Sequence, residues 1–212
     1  MYVPKAFLET DPDCIRDFIR RYSFGTLISW DGKRPVATRL PLNLSEDDRG
    51  HTYLSGHIAK ANPQSETFGS NDEVLVQFDG PHAYISATWY SIQSVPTWDY
   101  ITVQAYGSLR KIENRDELYA FLKAMVDSQE KYAPESSRYR LESLSPDLLN
   151  NMMNAIMGFQ IVVTKIECAT KLSQNRNSHD YENIIARLEQ LNDSQSGSVA
   201  AEMKARRKKY DK

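Results

Sequence analysis

The chain has 212 residues, 41% of them hydrophobic, and 26 Lys and Arg against 28 Asp and Glu for a formal net charge of −2. That balance excludes a strongly basic nucleic-acid-binding domain, and no apolar run reaches the roughly 18–20 residues of a membrane-spanning helix. A chain of this length buries roughly 70% of its unfolded surface, so it needs neither disulfide nor structural metal to fold.

Asp11 and Pro12 open the first predicted element. Asp11 suits the cap, Pro12 the first helical position, and Ile15, Phe18, Ile19 and Tyr22 recur at the spacing of one helix face. From Ser23 the period becomes two. The segment FGTLISW, a turn at Asp31-Gly32 and RPVATRLPLNL read as two antiparallel strands. Val36, Thr38, Leu40 and Leu42 share one face of the second strand, while Ala37, Arg39 and Pro41 share the other. Pro35 and Pro41 lack the N–H of a central ladder, which predicts an edge or bulged strand. A polar loop follows, then a strand over HTYLSGH. Two strands broken at Asp79-Gly80-Pro81 come next, and a long one over WDYITVQAYGSLRKI.

Asn114 caps a helix with Glu117 at the capping-box position and an apolar stripe of Leu118, Phe121, Leu122, Met125 and Val126. A shorter helix starts at Ser145-Pro146 and is expected to stop at Gly158. FQIVVTKIECATKLS restores alternation as a last strand, Ser178 is the expected cap of another helix, and a weak helix from Gly197 ends in KARRKKYDK. Six or so strands with short connections and few helices imply a mostly β protein with helices, of the α+β class, closed as a barrel. The expected division is one domain over 1–192 and a basic helical tail over 193–212.

Three segments could carry chemistry. GHIAKANPQ (residues 56–64) offers Lys60 and a cap-like Asn62-Pro63, a pattern of phosphate sites at helix starts and equally of a solvated strand-to-helix turn. KLSQNR (171–176) gathers two cations, a hydroxyl and two amides, enough to surround an anion or a polar ring edge, although strand ends collect such residues anyway. The third is aromatic. Of 12 Tyr and 3 Trp, six lie between Tyr84 and Tyr106, in a pattern of core or interface packing, with Trp89 and Trp98 placed to stack on a bound ring. His51 and His57 have no third ligand nearby in sequence, and single histidines such as His57, His82 or His179 do not define a haem site. Cys14 and Cys168 sit in no metal-ligand spacing and fit two buried thiols of a cytoplasmic protein, with one bridge between them left open.

Taken in order, MYVPKAF, SFGTLIS, PVATRLPL, LSGHIAKANPQ, GPHAYISATWY, VPTWDYITVQAYG and KLSQNR resemble the PaiB-like FMN-binding negative transcriptional regulators, from residue 1 to about residue 190. The resemblance implies an FMN-binding split β-barrel of the kind seen in pyridoxamine-phosphate oxidase-like proteins, and a homodimer. It assigns Lys60 and Asn62 to the FMN phosphate and lays Thr38 and Arg39 along the flavin. Lys171, Ser173, Gln174, Asn175 and Arg176 then close the site. Arg39 stands where a histidine is expected, and Lys60 where an arginine is common, which replaces a bidentate fork by a point charge. The implied function is regulation with FMN or its redox state as the sensed ligand. The alternatives are an FMN-dependent oxidoreductase and a haem-binding or haem-degrading protein. No helix-turn-helix with a basic face is visible, so contact with DNA is an open expectation.

Overall fold

A computed structural model describes residues 1–69 and 73–210. Asp11 accepts a hydrogen bond from the Asp13 amide at 3.0 Å and starts α1 (Pro12–Arg21), whose inward residues Ile15, Phe18 and Ile19 are buried as their spacing requires. A two-residue strand, β1 (Leu8–Glu9), precedes it. The hairpin of β2 (Phe24–Trp30) and β3 (Pro35–Pro41) is antiparallel, with Leu27 opposite Thr38, and Asp31 Oδ1 accepts from the amides of Lys33 and Arg34 to close the turn.

The expected strand over residues 34–44 divides at Leu42. The Leu42 amide still donates to Ser23 O at 2.9 Å, one step on in the register of β3 with β2, and from Asn43 the chain, as β4 (Asn43–Glu46), pairs with β5 (Thr52–Ala59) instead. The other strands are β6 (Glu73–Ile85), β7 (Thr97–Ile112) and β8 (Ile156–Lys171). The pairing order is β3-β2-β6-β7-β8-β5-β4, with β1 on β8. Its end strands are thus consecutive in the chain, joined through Leu42 but not paired with each other. This is a mostly antiparallel sheet that is not closed: contrary to the expected closed barrel, its two end strands share no pairing and leave a seam.

The break expected at Asp79-Gly80-Pro81 does not end a strand. β6 runs through it, and the buried positions change from Val74, Val76 and Phe78 to Pro81, Ala83 and Ile85, so the inward parity shifts by one residue. Such a slip is the signature of a bulge. Gly158 does not stop a helix either. α3 (Pro146–Ala155) ends earlier, and Gly158 lies within β8, where a Cβ would stand 2.6 Å from Leu118 Cδ1. The glycine is needed for close approach of α2 (Arg115–Glu130) to the sheet. Asn177, not Ser178, caps α4 (Ser178–Gln190), its side chain accepting from the Asp180 amide at 2.8 Å. The C-terminal helix α5 (Ser194–Tyr210) begins before Gly197. Asp211 and Lys212 of the expected tail lie outside the described residues.

The chain divides into two compact units, and β6, β7 and β8 each give one end to each unit. The first comprises Met1–Tyr22, Phe78–Gln104 and Ile166–Lys212. Its core includes Phe18, Ile101, Leu172, Ile184 and Leu188, together with Val199 and Met203 of α5. Arg206 of α5 reaches Glu9 at 3.2 Å and Glu202 at 3.1 Å with all three side chains nearly buried. Truncating one member of such a group leaves a buried charge uncompensated.

The second unit comprises Ser23–Gln77 and Ala105–Lys165. Leu27, Leu54, Val76, Phe159 and Ile161 are fully enclosed in it, with Phe68 edge-on to Phe159 at 5.4 Å. A smaller cluster of Ile112, Leu118, Leu122, Leu141 and Met153 is in the same unit. Among the described residues no helix is long and apolar enough to cross a membrane.

Candidate functional site

In the second unit, the turn after β5 is built by the sequence Asn62-Pro63-Gln64. Asn62 Oδ1 accepts from the Gln64 amide at 3.0 Å and caps a 3-10 turn over Pro63–Thr67, while Asn62 Nδ2 donates to Thr38 Oγ1 on β3 at 2.9 Å. Gln64 fastens this turn to the hairpin: its buried Nε2 lies 3.2 Å from Leu27 O, 3.0 Å from Ser29 Oγ and 3.3 Å from Val36 O. Ser29 Oγ and Thr67 Oγ1 add a contact at 2.7 Å.

The backbone here does not form the open helix start that the sequence suggests. Pro63 has no N–H, and the Lys60, Asn62, Gln64 and Ser65 amides are bound to Ala155 O, Ala59 O, Asn62 Oδ1 and Asn62 O. An anion at this turn must therefore be held by side chains. Lys60 is exposed, and Thr38 and Asn62 are half-buried and already tied together. Arg39 points to the opposite face of β3 from Thr38, exposed, its guanidinium 5.4 Å from the Phe24 ring centroid. Thus the structure joins Thr38 and Asn62, leaves Lys60 exposed two residues before Asn62 with no contact to that pair, and sets Arg39 on another surface.

The remaining candidates belong to the first unit. Lys171 Nζ donates to Thr97 Oγ1 and lies 5.9 Å from the Phe7 ring centroid. Ser173 is buried with φ +56°, a left-handed conformation unusual for a non-glycine residue. Gln174 holds the turn rather than facing outward, accepting from the Leu172 amide at 2.7 Å and donating to Thr170 O at 2.6 Å and Ala6 O at 3.0 Å. Asn175 is exposed, and Arg176 lies over the Tyr90 ring at 4.1 Å. Trp89 is half-buried and its carbonyl accepts from Asn183 Nδ2 at 2.6 Å. Trp98 is exposed and packs edge-on to Tyr84 at 5.9 Å and against His82 at 6.1 Å. Tyr84 and Tyr90 do not share a face, because β6 ends at Ile85 and a short turn carries Tyr90 into the interior.

Asp99 is the residue that sequence reasoning missed. It is fully enclosed, with no hydrogen-bond partner of good geometry for either carboxylate oxygen, although the hydroxyl and amide of Ser173 still favour its charged form; the buried Tyr90 hydroxyl has Arg176 as a polar neighbour in the same sense. Burial pushes its carboxyl up to about 6, against the opposing pull of Ser173, Lys171 and Arg176. The signal was its parity: Asp99 shares the inward face of β7 with Ile101, Val103 and Ala105, where a lone carboxylate is out of place. Cys168 is buried and pushed up to about 11 by that burial, so its thiol stays protonated and unreactive; Cys14 is half-buried and not, as expected, buried, and neither cysteine is in a disulfide. His57 is lowered by burial, its Nδ1 unpartnered, with Phe121 edge-on at 6.3 Å. Among the described residues no group of three or more His, Cys, Asp or Glu could hold a metal ion.

The mostly antiparallel sheet, open along one seam and flanked by helices, places the chain in the class of FMN-binding split-barrel folds. The family described as "Putative FMN-binding domain" matches residues 1–165, and the chain belongs to that family, whose cofactor is FMN. Among its relatives, "Protease synthase and sporulation protein PAI 2" of Bacillus subtilis is 42% identical over 209 residues, 99% of each chain. That match bears out the PaiB-like resemblance. An uncharacterised protein of Saccharomyces cerevisiae is 32% identical over 164 residues, 66% of this chain and 96% of its own. Two solved structures share the fold at 13% identity. One is the FAD and haem binding protein of Mycobacterium smegmatis, with a TM-score of 0.60 over 77% of this chain and 73% of the other. The other is the flavocytochrome Anf3 of Azotobacter vinelandii, with a TM-score of 0.61 over 85% and 78%.

Proposed function

We propose that this chain is an FMN-dependent regulator of the PaiB-like kind, a cytoplasmic homodimer in which FMN or its redox state is the sensed ligand. The observation that carries the cofactor half is the tie between Asn62 and Thr38 beside Lys60. The donor set fits a phosphate: the Lys60 cation and the Asn62 amide, with a second N–H to offer, at a turn fastened by Gln64, and the Thr38 hydroxyl on β3. FMN supplies the redox chemistry of its isoalloxazine when bound. This chain's residues hold the anionic end and keep the turn in place. The relative's name, which concerns protease synthesis and sporulation, supports a role in control of gene expression.

Two free thiols, one buried, support a reducing compartment. The exposed rings of Tyr84 and Trp98 with Ile92 and Val95 support a self-association surface on the first unit. A second reading, an FMN-dependent oxidoreductase, is favoured by Asp99, a buried carboxyl that holds a proton up to about pH 6.

The test is the absorbance of the purified protein between 350 and 500 nm, followed by FMN titration and sedimentation at micromolar concentration. A flavin spectrum and a dimer are expected. Lys60→Ala and Asn62→Ala are each expected to weaken FMN at least about tenfold, since a charge-assisted phosphate contact contributes about 1.5–3 kcal/mol. Protein that stays colourless with FMN sinks both flavin readings, and unchanged affinity in both variants refutes the phosphate assignment.

A further inference from the structure

In the second unit a groove of about 370 Å³ opens beside Lys60, on a rim it shares with Lys111 and Arg115 and over a floor that includes Ile112, Met153 and Met157. Its walls are fixed by the local packing. The Gly158 backbone lets Leu118 of α2 approach β8 closely, as described above. Arg115 Nη1 donates to Asn154 Oδ1 at 3.1 Å and its Nη2 to Asn150 Oδ1, tying the start of α2 to α3. The Lys60 amide donates to Ala155 O at 2.8 Å and fixes the end of β5 against the turn from α3 into β8.

The three cations have no neutralising partner. Among the described residues no salt bridge within 4.0 Å joins Lys60, Lys111 or Arg115 to a carboxylate, and the acceptors on Arg115 are neutral amides. Glu113 is the one acidic residue of the lining, so the rim carries an excess of positive charge above an apolar floor. The volume falls in the usual range for small-molecule sites. Cations at a rim attract an anion, and a floor of aliphatic and thioether groups gains by covering an apolar body.

We propose that this groove binds a phosphate monoester carrying an apolar group, with Lys111 and Arg115 meeting the phosphate and Ile112, Met153 and Met157 covering the body. The groove shares Lys60 with the FMN reading but does not depend on it, since Lys111 and Arg115 have no part in that assignment. The ligand is therefore a small phosphate ester other than FMN, whose phosphate the proposed function assigns to the Asn62 turn.

Calorimetric titration of the full chain with phenyl phosphate, inorganic phosphate and benzyl alcohol tests the proposal, in the presence and absence of FMN. Phenyl phosphate is expected to bind more tightly than either of the others. Lys111→Ala is expected to weaken it at least about tenfold, and Lys111→Arg to retain binding, which also controls for misfolding. Simultaneous binding of phenyl phosphate and FMN supports the proposal; displacement of phenyl phosphate by FMN overturns it, the groove then being the cofactor's own site. No advantage of phenyl phosphate over inorganic phosphate, or equal binding by Lys111→Ala and wild type, overturns it. If that happens while FMN still binds, the FMN reading stands alone; if phenyl phosphate binds through Lys111 and FMN does not, the groove stands and the FMN reading falls.

Discussion

Asp99 and Gln64 put buried polar side chains to opposite uses. Gln64 Nε2 is shared among three acceptors on the hairpin, so its burial locks the Asn62 turn. Asp99 has Ser173, Lys171 and Arg176 nearby, yet its carboxyl rises to about 6 from the ordinary 3.8 because burial disfavours the charged form more than these groups favour it. Between about pH 4 and pH 6 the folded state then binds the more protons, so this residue's contribution to stability is greatest at low pH and is lost as pH rises through 6. Asp99→Asn removes that dependence. In urea unfolding the variant is expected to gain about 2–3 kcal/mol on the wild type between pH 4 and pH 7.5, a shift of about two pKa units converted to energy. A difference between the two proteins that stays the same at both pH values would show that the carboxyl is not responsible.

At the scale of elements, the closest approach described by a glycine falls in β7. A Cβ on Gly107 would stand 2.2 Å from Val162 O and 2.7 Å from Ile161 Cγ2, and because the first of these is backbone, no side chain can yield to make room. Gly107→Ala is therefore expected to cost about 1–3 kcal/mol or more, by thermal or urea unfolding; wild-type stability would mean that β7 and β8 separate at little cost. Where a periodic pattern runs to a residue with one clear local role, the sequence already told the structure: α1 from Asp11 and Pro12, the β2–β3 hairpin from Asp31-Gly32, the edge position of β3 from its prolines. Local pattern misled where a long-range contact decided. Gly158 reads as a stop but answers to Leu118 on another element, and the alternation runs on past Leu42 although from Asn43 the chain pairs with β5. Site residues split in the same way. Asn62 was legible as a cap, whereas the hold of Gln64 on β2 and β3 depends on a fold that brings residues 27 to 36 beside residue 64.

For the whole molecule, charge placement matters more than the net value of −2. The basic end of α5 is not a free arm: Lys204 pairs with Glu189 at 2.6 Å, Arg206 with Glu9 and Glu202, and Arg207 with Glu182 at 2.5 Å. Each of these three cations is paired with a carboxylate of the same unit, which withdraws them from the release of counterions from a duplex. Fluorescence anisotropy against duplex DNA is expected to show no binding at 50 mM salt that disappears by 200 mM. A steep loss of affinity over that range would show phosphate contacts by cations outside these pairs, and would make the regulatory role a direct one.

The seam at Leu42 governs how the sheet breathes. β3 and β4 end the pairing order and each has a partner on one side alone, while β6, β7 and β8 are flanked on both. Solvent deuterium therefore enters from the seam inward, reaching the end strands first and the three long strands last. The Leu42 amide, bound to Ser23 O in register with the β2–β3 pairing, is expected to exchange with that hairpin and not with β4. Two neighbouring residues of one chain, Leu42 and Asn43, thus answer to different strand pairs and are expected to lose protection independently.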